Sequence, residues 1–336
     1  MDLHDKKQPY DEHDDLEEEL LEEETDDILD DEEYQEDDEE AEEESAVKDD
    51  GASQPKKQKN LGILVSAIFG FLIVIGSYLN YKIFPSNSSR IKIGATYMTM
   101  NNPFFEVINN EIKKAVEANG DVLITLDPIL DVDKQNEQIL DLIDQRVDAI
   151  FVNPIDAKKI EIGLKAAKKA KIPVIVVDAP IYDESLVNCS IASNNYDAGV
   201  LCAKDMMSKR DHAKIILLEH ATAKSAVERI QGFLDTIASN ANYQVINRAD
   251  CDGQIEIAMP TMKQMLKETP DVDVVMALND RSALGALAAI ESMEIDNVLV
   301  YGVDGSPDVK ELINTGLIQA NAAQSPVKLG QLAYQN

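Results

Sequence analysis

The sequence contains no tryptophan, four histidines (His4, His13, His212 and His220) and three cysteines (Cys189, Cys202 and Cys251). So few histidines leave little room for imidazole-based catalysis. An odd, widely spaced set of cysteines excludes a scaffold stapled by disulfides, and its spacing fits no zinc pattern such as CxxC. Positive charge is also scarce, with 31 Lys and Arg against 63 Asp and Glu for a net charge of −32 over 336 residues. Beyond a few lysines there is no basic cluster to neutralise phosphates, so nucleic acid is excluded as a partner. Enzyme signatures are missing as well. No GxxxxGK[ST], GxGxxG, HExxH or GxSxG occurs, and no catalytic residue, metal site or cofactor is expected.

The charge that is present is unevenly placed. Residues 1–59 hold 28 acidic residues against 6 lysines, which leaves 35 acidic and 25 basic residues for 60–336. In the stretch 11–50, 26 of 40 residues are acidic and almost nothing is apolar. Such a stretch cannot offset its ordering entropy, so 1–59 reads as a disordered acidic tail, either solvating or docking on a basic partner.

Asn60 to Tyr81 then runs for 22 residues without a charge. At about 1.5 Å of rise per residue such a helix spans the hydrocarbon core of a bilayer. The long acidic flank, the long apolar run and the missing A-x-A site argue against a cleaved signal peptide. No cysteine near its end offers a lipidation site. Residues 60–84 are therefore expected to be an uncleaved single-pass anchor in a lipid bilayer. Lys56, Lys57 and Lys59 before it, against Lys82 and Arg90 after it, place the N-terminus in the cytoplasm and the rest outside.

From Ile91 onward, Val- and Ile-rich strands alternate with helices of 3.6-residue periodicity. This pattern belongs to parallel sheets covered by helices, and about ten strands imply two lobes. No sequence repeat is visible. Asp131, Asp133 and Gln135 partly match a calcium loop, but Asn136 stands where the loop needs glycine, so Asp133 is expected to cap the following helix instead.

Short polar residues recur at the carboxyl ends of strands: Asn102, Asp178, Asn279, Asp304 and Gln324. In open α/β sheets the ligand crevice lies there. An Asp or Asn at a strand end also serves as a helix cap or turn residue, and the pair Phe104 and Phe105 also suits a core. Together, planar carboxylate and amide groups beside flat aromatic faces suit a polyol ring, with hydroxyls on its rim and C–H groups on its faces.

The segments NNPFF (101–105), VVD (176–178), IASNN (191–195), SAVERIQGF (225–233), NDRSALGALAA (279–289) and GVDGSPD (302–308) resemble the periplasmic sugar-binding proteins of the ribose-binding type. The likeness covers residues 91–336. It implies a type I periplasmic binding protein fold: two Rossmann-like lobes, one of 91–193 plus 325–336 and one of 194–324, hinged to close on a monosaccharide or related polyol. It also implies ligand contacts from Asn102, Phe104, Phe105 and Asp178 of one lobe, Arg229, Asn279 and Asp304 of the other, and Gln324 at the hinge. The family continues past the helix starting at Pro326, so the first lobe is expected to be truncated at Asn336. Met98 replaces a small hydroxyl residue of the family, Ala179 an arginine and Cys251 an aromatic. These departures point to a ligand that is larger, less polar or not a simple pentose. The implied function is capture of a sugar for an ABC-type permease; the alternative is a ligand input to a sensor kinase or chemoreceptor.

Overall fold

A computed structural model describes residues 69–76 and 90–336. Of the anchor expected over 60–84, the stretch 69–76 is helical (α1). The rest of it, and the acidic tail expected over 1–59, lie outside the described residues. Among the described residues no helix is long and apolar enough to cross a membrane.

Residues 90–336 fold as two lobes built on one plan. The first sheet comprises β1 (Lys92–Thr96), β2 (Val122–Leu126), β3 (Ala149–Val152), β4 (Val174–Val177) and β5 (Cys189–Ile191). These lie in the order β2-β1-β3-β4-β5, every pair parallel. The second comprises β6 (Ala213–Glu219), β7 (Tyr243–Asp250), β8 (Val274–Ala277), β9 (Leu299–Asp304) and β10 (Ala320–Ala323). Read from the β7 edge its order is β7-β6-β8-β9-β10, again all parallel. The repeat that the sequence hides is thus present in the topology. In each lobe the strand order reverses beside the first strand, which opens a switch-point crevice at the carboxyl ends.

The helices are α2 (Pro103–Ala118), α3 (Val132–Asp144), α4 (Glu161–Ala170), α5 (Asn195–Lys209), α6 (Lys224–Ile237), α7 (Ile255–Glu268), α8 (Asp280–Ser292), α9 (Pro307–Asn314) and α10 (Pro326–Gln335). Central strands such as β4 (VIVV) and β8 (VVMA) are buried throughout, as strands covered on both faces must be. Several helices start on a side-chain cap: Asn102, Asn194, Asn279, Ser306 and Ser325 each accept from a backbone N–H of the first turn. For α3 the cap is Asp131, which accepts from Asp133 N and Lys134 N, so the expectation that Asp133 caps it is corrected. Gln135 is buried and bonds Asn153 O and Ile155 N, which removes it from any calcium loop.

Two connections matter for function. The chain leaves the first lobe between β5 and α5. After β10 it returns, and α10 packs on α2, with Gln331 donating to Glu111 at 2.9 Å. Within the second lobe α5 and α6 touch backbone to backbone. A Cβ on Gly199 would lie 1.8 Å from Arg229 O, and one on Gly232 2.0 Å from Tyr196 O. Only glycine at both positions permits this approach, and it fixes where α6 presents Arg229.

Candidate functional site

A crevice between the lobes is lined on one side by Met98, Asn102, Phe104, Phe105 and Asp178. On the other side stand Arg229, Asn279, Asp304, His220 and the turn Asp252–Gln254. Seven of the eight residues singled out from sequence are therefore brought together. The eighth, Gln324, stands behind the wall and donates to Asp304 Oδ1 at 2.7 Å.

The first-lobe wall is set by strand ends. Asn102 caps α2 through its side-chain oxygen, 3.0 Å from Phe104 N. Phe105 is buried and stacks with Tyr97 at 6.3 Å between ring centres, while Phe104 meets Phe105 edge-on at 5.8 Å. Phe105 is thus as much a core residue as a platform, and Phe104 is the half-buried ring of the pair. Asp178 has φ 71 and sits at the centre of a three-residue turn closed by Ala179 N donating to Val177 O at 2.9 Å. This turn hand is rare and strained, and such strain collects at functional sites. Asn153, overlooked in the sequence, ties three strand ends together. Its Oδ1 accepts from Met98 N at 3.2 Å, and its Nδ2 donates to Val177 O at 3.0 Å and approaches Asp178 Oδ2 at 3.5 Å.

The second-lobe wall centres on Arg229, buried on α6. Its Nε donates to Asn195 Oδ1 at 2.9 Å and its Nη1 to Leu278 O at 3.0 Å, with Asp304 Oδ1 at 3.5 Å. Asp304 has φ 128, so this acid, like Asp178, sits on strained backbone. Asn279 caps α8 through Ser282 N at 2.9 Å and donates to Gly253 O at 3.0 Å, so it holds the wall as well as lining it. His220 is buried with Nε2 3.1 Å from Thr222 Oγ1 and 3.8 Å from Asp252 Oδ1. Gln254 is buried with its Oε1 unpartnered.

Burial dominates the electrostatics. It pushes Asp178 up to about 6, although Arg229 and Asn153 pull the other way. Asp304 is pushed up to about 7, with Asp280 and Asp178 adding repulsion and Arg229 opposing. Desolvation also holds His220 below its usual range, against the pull of Asp250, Asp252 and Asp156.

Cys251 stands where the family pattern has an aromatic. It is fully buried, 3.2 Å from Ser282 Oγ, and does not line the crevice; Asp252, Gly253 and Gln254 do so in its place. Burial raises its thiol to about 11 and that of Cys202 to about 12, which leaves neither a ready nucleophile. What the site offers chemically is an array of acceptors, one guanidinium and two aromatic faces.

The periplasmic binding protein domain family matches residues 93–336, and the chain belongs to that family. The ribose import binding protein of Bacillus subtilis (strain 168) is 34% identical over 256 residues, 75% of this chain and 83% of that protein. Its counterpart in Escherichia coli (strain K12) is 30% identical over 275 residues, covering 81% and 89%. Among solved structures, an ABC transporter solute binding protein of Mycobacterium smegmatis with bound glycerol aligns with a TM-score of 0.69 and 31% identity, covering 74% of this chain and 86% of that one.

Proposed function

We propose that this chain is a solute-binding protein of an ABC importer that captures a monosaccharide or related polyol by closing two lobes around it. The observation that carries the reading is convergence. Asp178 from one lobe and Arg229 and Asp304 from the other, more than fifty residues apart in sequence, line one crevice beside Phe104. Carboxylates accept from ring hydroxyls, the guanidinium donates, and the aromatic faces cover C–H surface. The moving bodies are taken as residues 91–193 with 325–336, and residues 194–324. Ligand contacts made only in the closed form shift the population toward it. Relatives named for ribose import support the class, and Met98 and Ala179, which depart from the pattern of the resemblance, point away from ribose itself.

The membrane part of the reading rests on the uncharged run from Asn60 to Tyr81, which anchors the domain outside the cell with the acidic tail in the cytoplasm. Protease protection in intact cells, read with antibodies to each end, tests this; a protected binding domain overturns it. An uncleaved anchor is also what favours a second reading, delivery of the closed form to a sensor kinase.

Calorimetric titration of the full-length chain with pentoses, hexoses and cyclitols tests the main proposal. One-site binding of a member of the panel is expected, with thermal stabilisation at saturation of a few kcal/mol. No heat and no stabilisation with any member would remove the sugar reading.

A further inference from the structure

The crevice has more acceptors than a neutral sugar compensates. Among its described lining residues are three aspartates, Asp178, Asp252 and Asp304, and one arginine, Arg229. Asp252 lies at the exposed rim, but Asp178 and Asp304 are buried, at 4% and 7% exposure. Arg229 lies 3.5 Å from Asp304, whereas among the described residues no cation lies within 4.0 Å of Asp178, so the Asp178 carboxylate is left without a paired cation. Asp280 lies behind Asp304, with its own oxygens taken by Ser306 N and Asn321 Nδ2. His220 does not restore the balance, since desolvation favours its neutral form.

The hydrogen bonds agree with the charge. Asp178 Oδ1 is buried and has no donor, and the Oε1 of Gln254, 2% exposed, has none either. One belongs to each lobe, and both residues line the crevice. The next residue, Ala179, is buried at 1% exposure and offers only a methyl group, so it brings no donor to Asp178. A buried carboxylate oxygen without a donor is costly, and a surplus buried charge more so. A hydroxyl brings one donor and no charge, whereas an ammonium brings three donors and the missing positive charge.

We propose that the ligand of this crevice is an aminated polyol, its ammonium group seated against the unpartnered Oδ1 of Asp178. The inference rests on the sugar-binding reading and narrows its substrate class. The amine supplies the donor and the charge that Asp178 lacks, and the hydroxyls fall to Asn102, Asn279, Arg229 and Asp304.

The test is calorimetry on the full-length chain at pH 7.5 with matched pairs: D-glucosamine and D-glucose, D-galactosamine and D-galactose, an amino-deoxy-inositol and myo-inositol. In at least one pair the amine is expected to bind at least tenfold tighter than its hydroxyl partner. In Asp178→Asn, which keeps the shape and removes the charge, that preference is expected to shrink to about twofold. Neutral members binding as tightly as the amines in every pair would overturn the inference and leave the sugar reading standing. An amine preference that persists undiminished in Asp178→Asn would overturn the placement at Asp178 and the inference with it. Failure of every member, amine and neutral alike, would remove the sugar reading itself.

Discussion

Lys224 of the second lobe donates from Nζ to the carbonyl of Ile181 in the first, at 3.0 Å, while lying 5.5 Å from the centre of the Tyr182 ring. It is one stitch in a seam. Ala157 N donates to Thr222 O at 3.0 Å, Thr222 Oγ1 to Ile155 O at 3.2 Å, and Asn101 Nδ2 to Glu256 Oε1 at 3.1 Å, all between lobes. The two lobes thus share polar contacts that involve no ligand. Apparent affinity depends on the fraction of molecules that can reach the closed form.

Lys224→Met keeps the aliphatic stem and removes the ammonium. A hydrogen bond to a charged group contributes about 1.5–3 kcal/mol, so ligand affinity is expected to fall by up to roughly ten- to a hundredfold. Small-angle scattering of the ligand-free variant is expected to give a larger radius of gyration than the wild type. Identical scattering and affinity would show that the contact does not bias closure.

Gly199→Ala tests the helix contact that places Arg229. An alanine in a helix interior ordinarily stabilises by about 1 kcal/mol relative to glycine. Here its Cβ would meet Arg229 O at 1.8 Å, so α6 must move. The expected outcome has the opposite sign, a loss of about 1–3 kcal/mol in stability with weakened ligand binding. A raised melting temperature with unchanged affinity would contradict the packing described.

The crevice acids make the unliganded domain sensitive to pH. Asp304 is raised by burial from 3.8 to about 7, so the folded state retains a proton that the unfolded chain releases. Stability from this group is therefore fully present below about pH 4 and is lost as pH rises towards 7. Asp304→Asn cannot titrate. Its stability relative to the wild type is expected to improve steadily from pH 4 to pH 7, as read by chemical denaturation at each pH. A constant difference across that range would contradict the burial assigned to Asp304.

Cys251 and Cys202 are buried, and Cys189 is half-buried. Thiol labelling of the native protein at neutral pH is expected to reach Cys189 first, and ligand is expected to leave the protection of Cys251 unchanged. Rapid labelling of Cys251 that ligand blocks would place it on the crevice wall after all.

The alternation of strands and helices was legible because β-rich runs and 3.6-residue periodicity are local properties. So were the strand-end residues: Asn102, Asp178, Asn279 and Asp304 lie where switch-point logic puts a ligand. Asn153 and Asn195 were not legible, since their work is done through partners far along the chain, Asp178 and Arg229. Gln254 was hidden for a related reason: its place beside the crevice is set by the turn Asp252–Gln254, which strand and helix periodicity does not mark. The choice of Asp131 over Asp133 as a cap turns on one residue of register, which periodicity alone does not resolve.

The most direct test compares two variants from opposite lobes by calorimetry against the same bound polyol: Asp178→Ala and Arg229→Ala in the full-length chain. Hydrogen bonds to charged groups contribute about 1.5–3 kcal/mol, so each variant is expected to lose roughly ten- to a hundredfold in affinity. If removing either side chain, from either lobe, leaves affinity unchanged, the ligand is not held between the two halves.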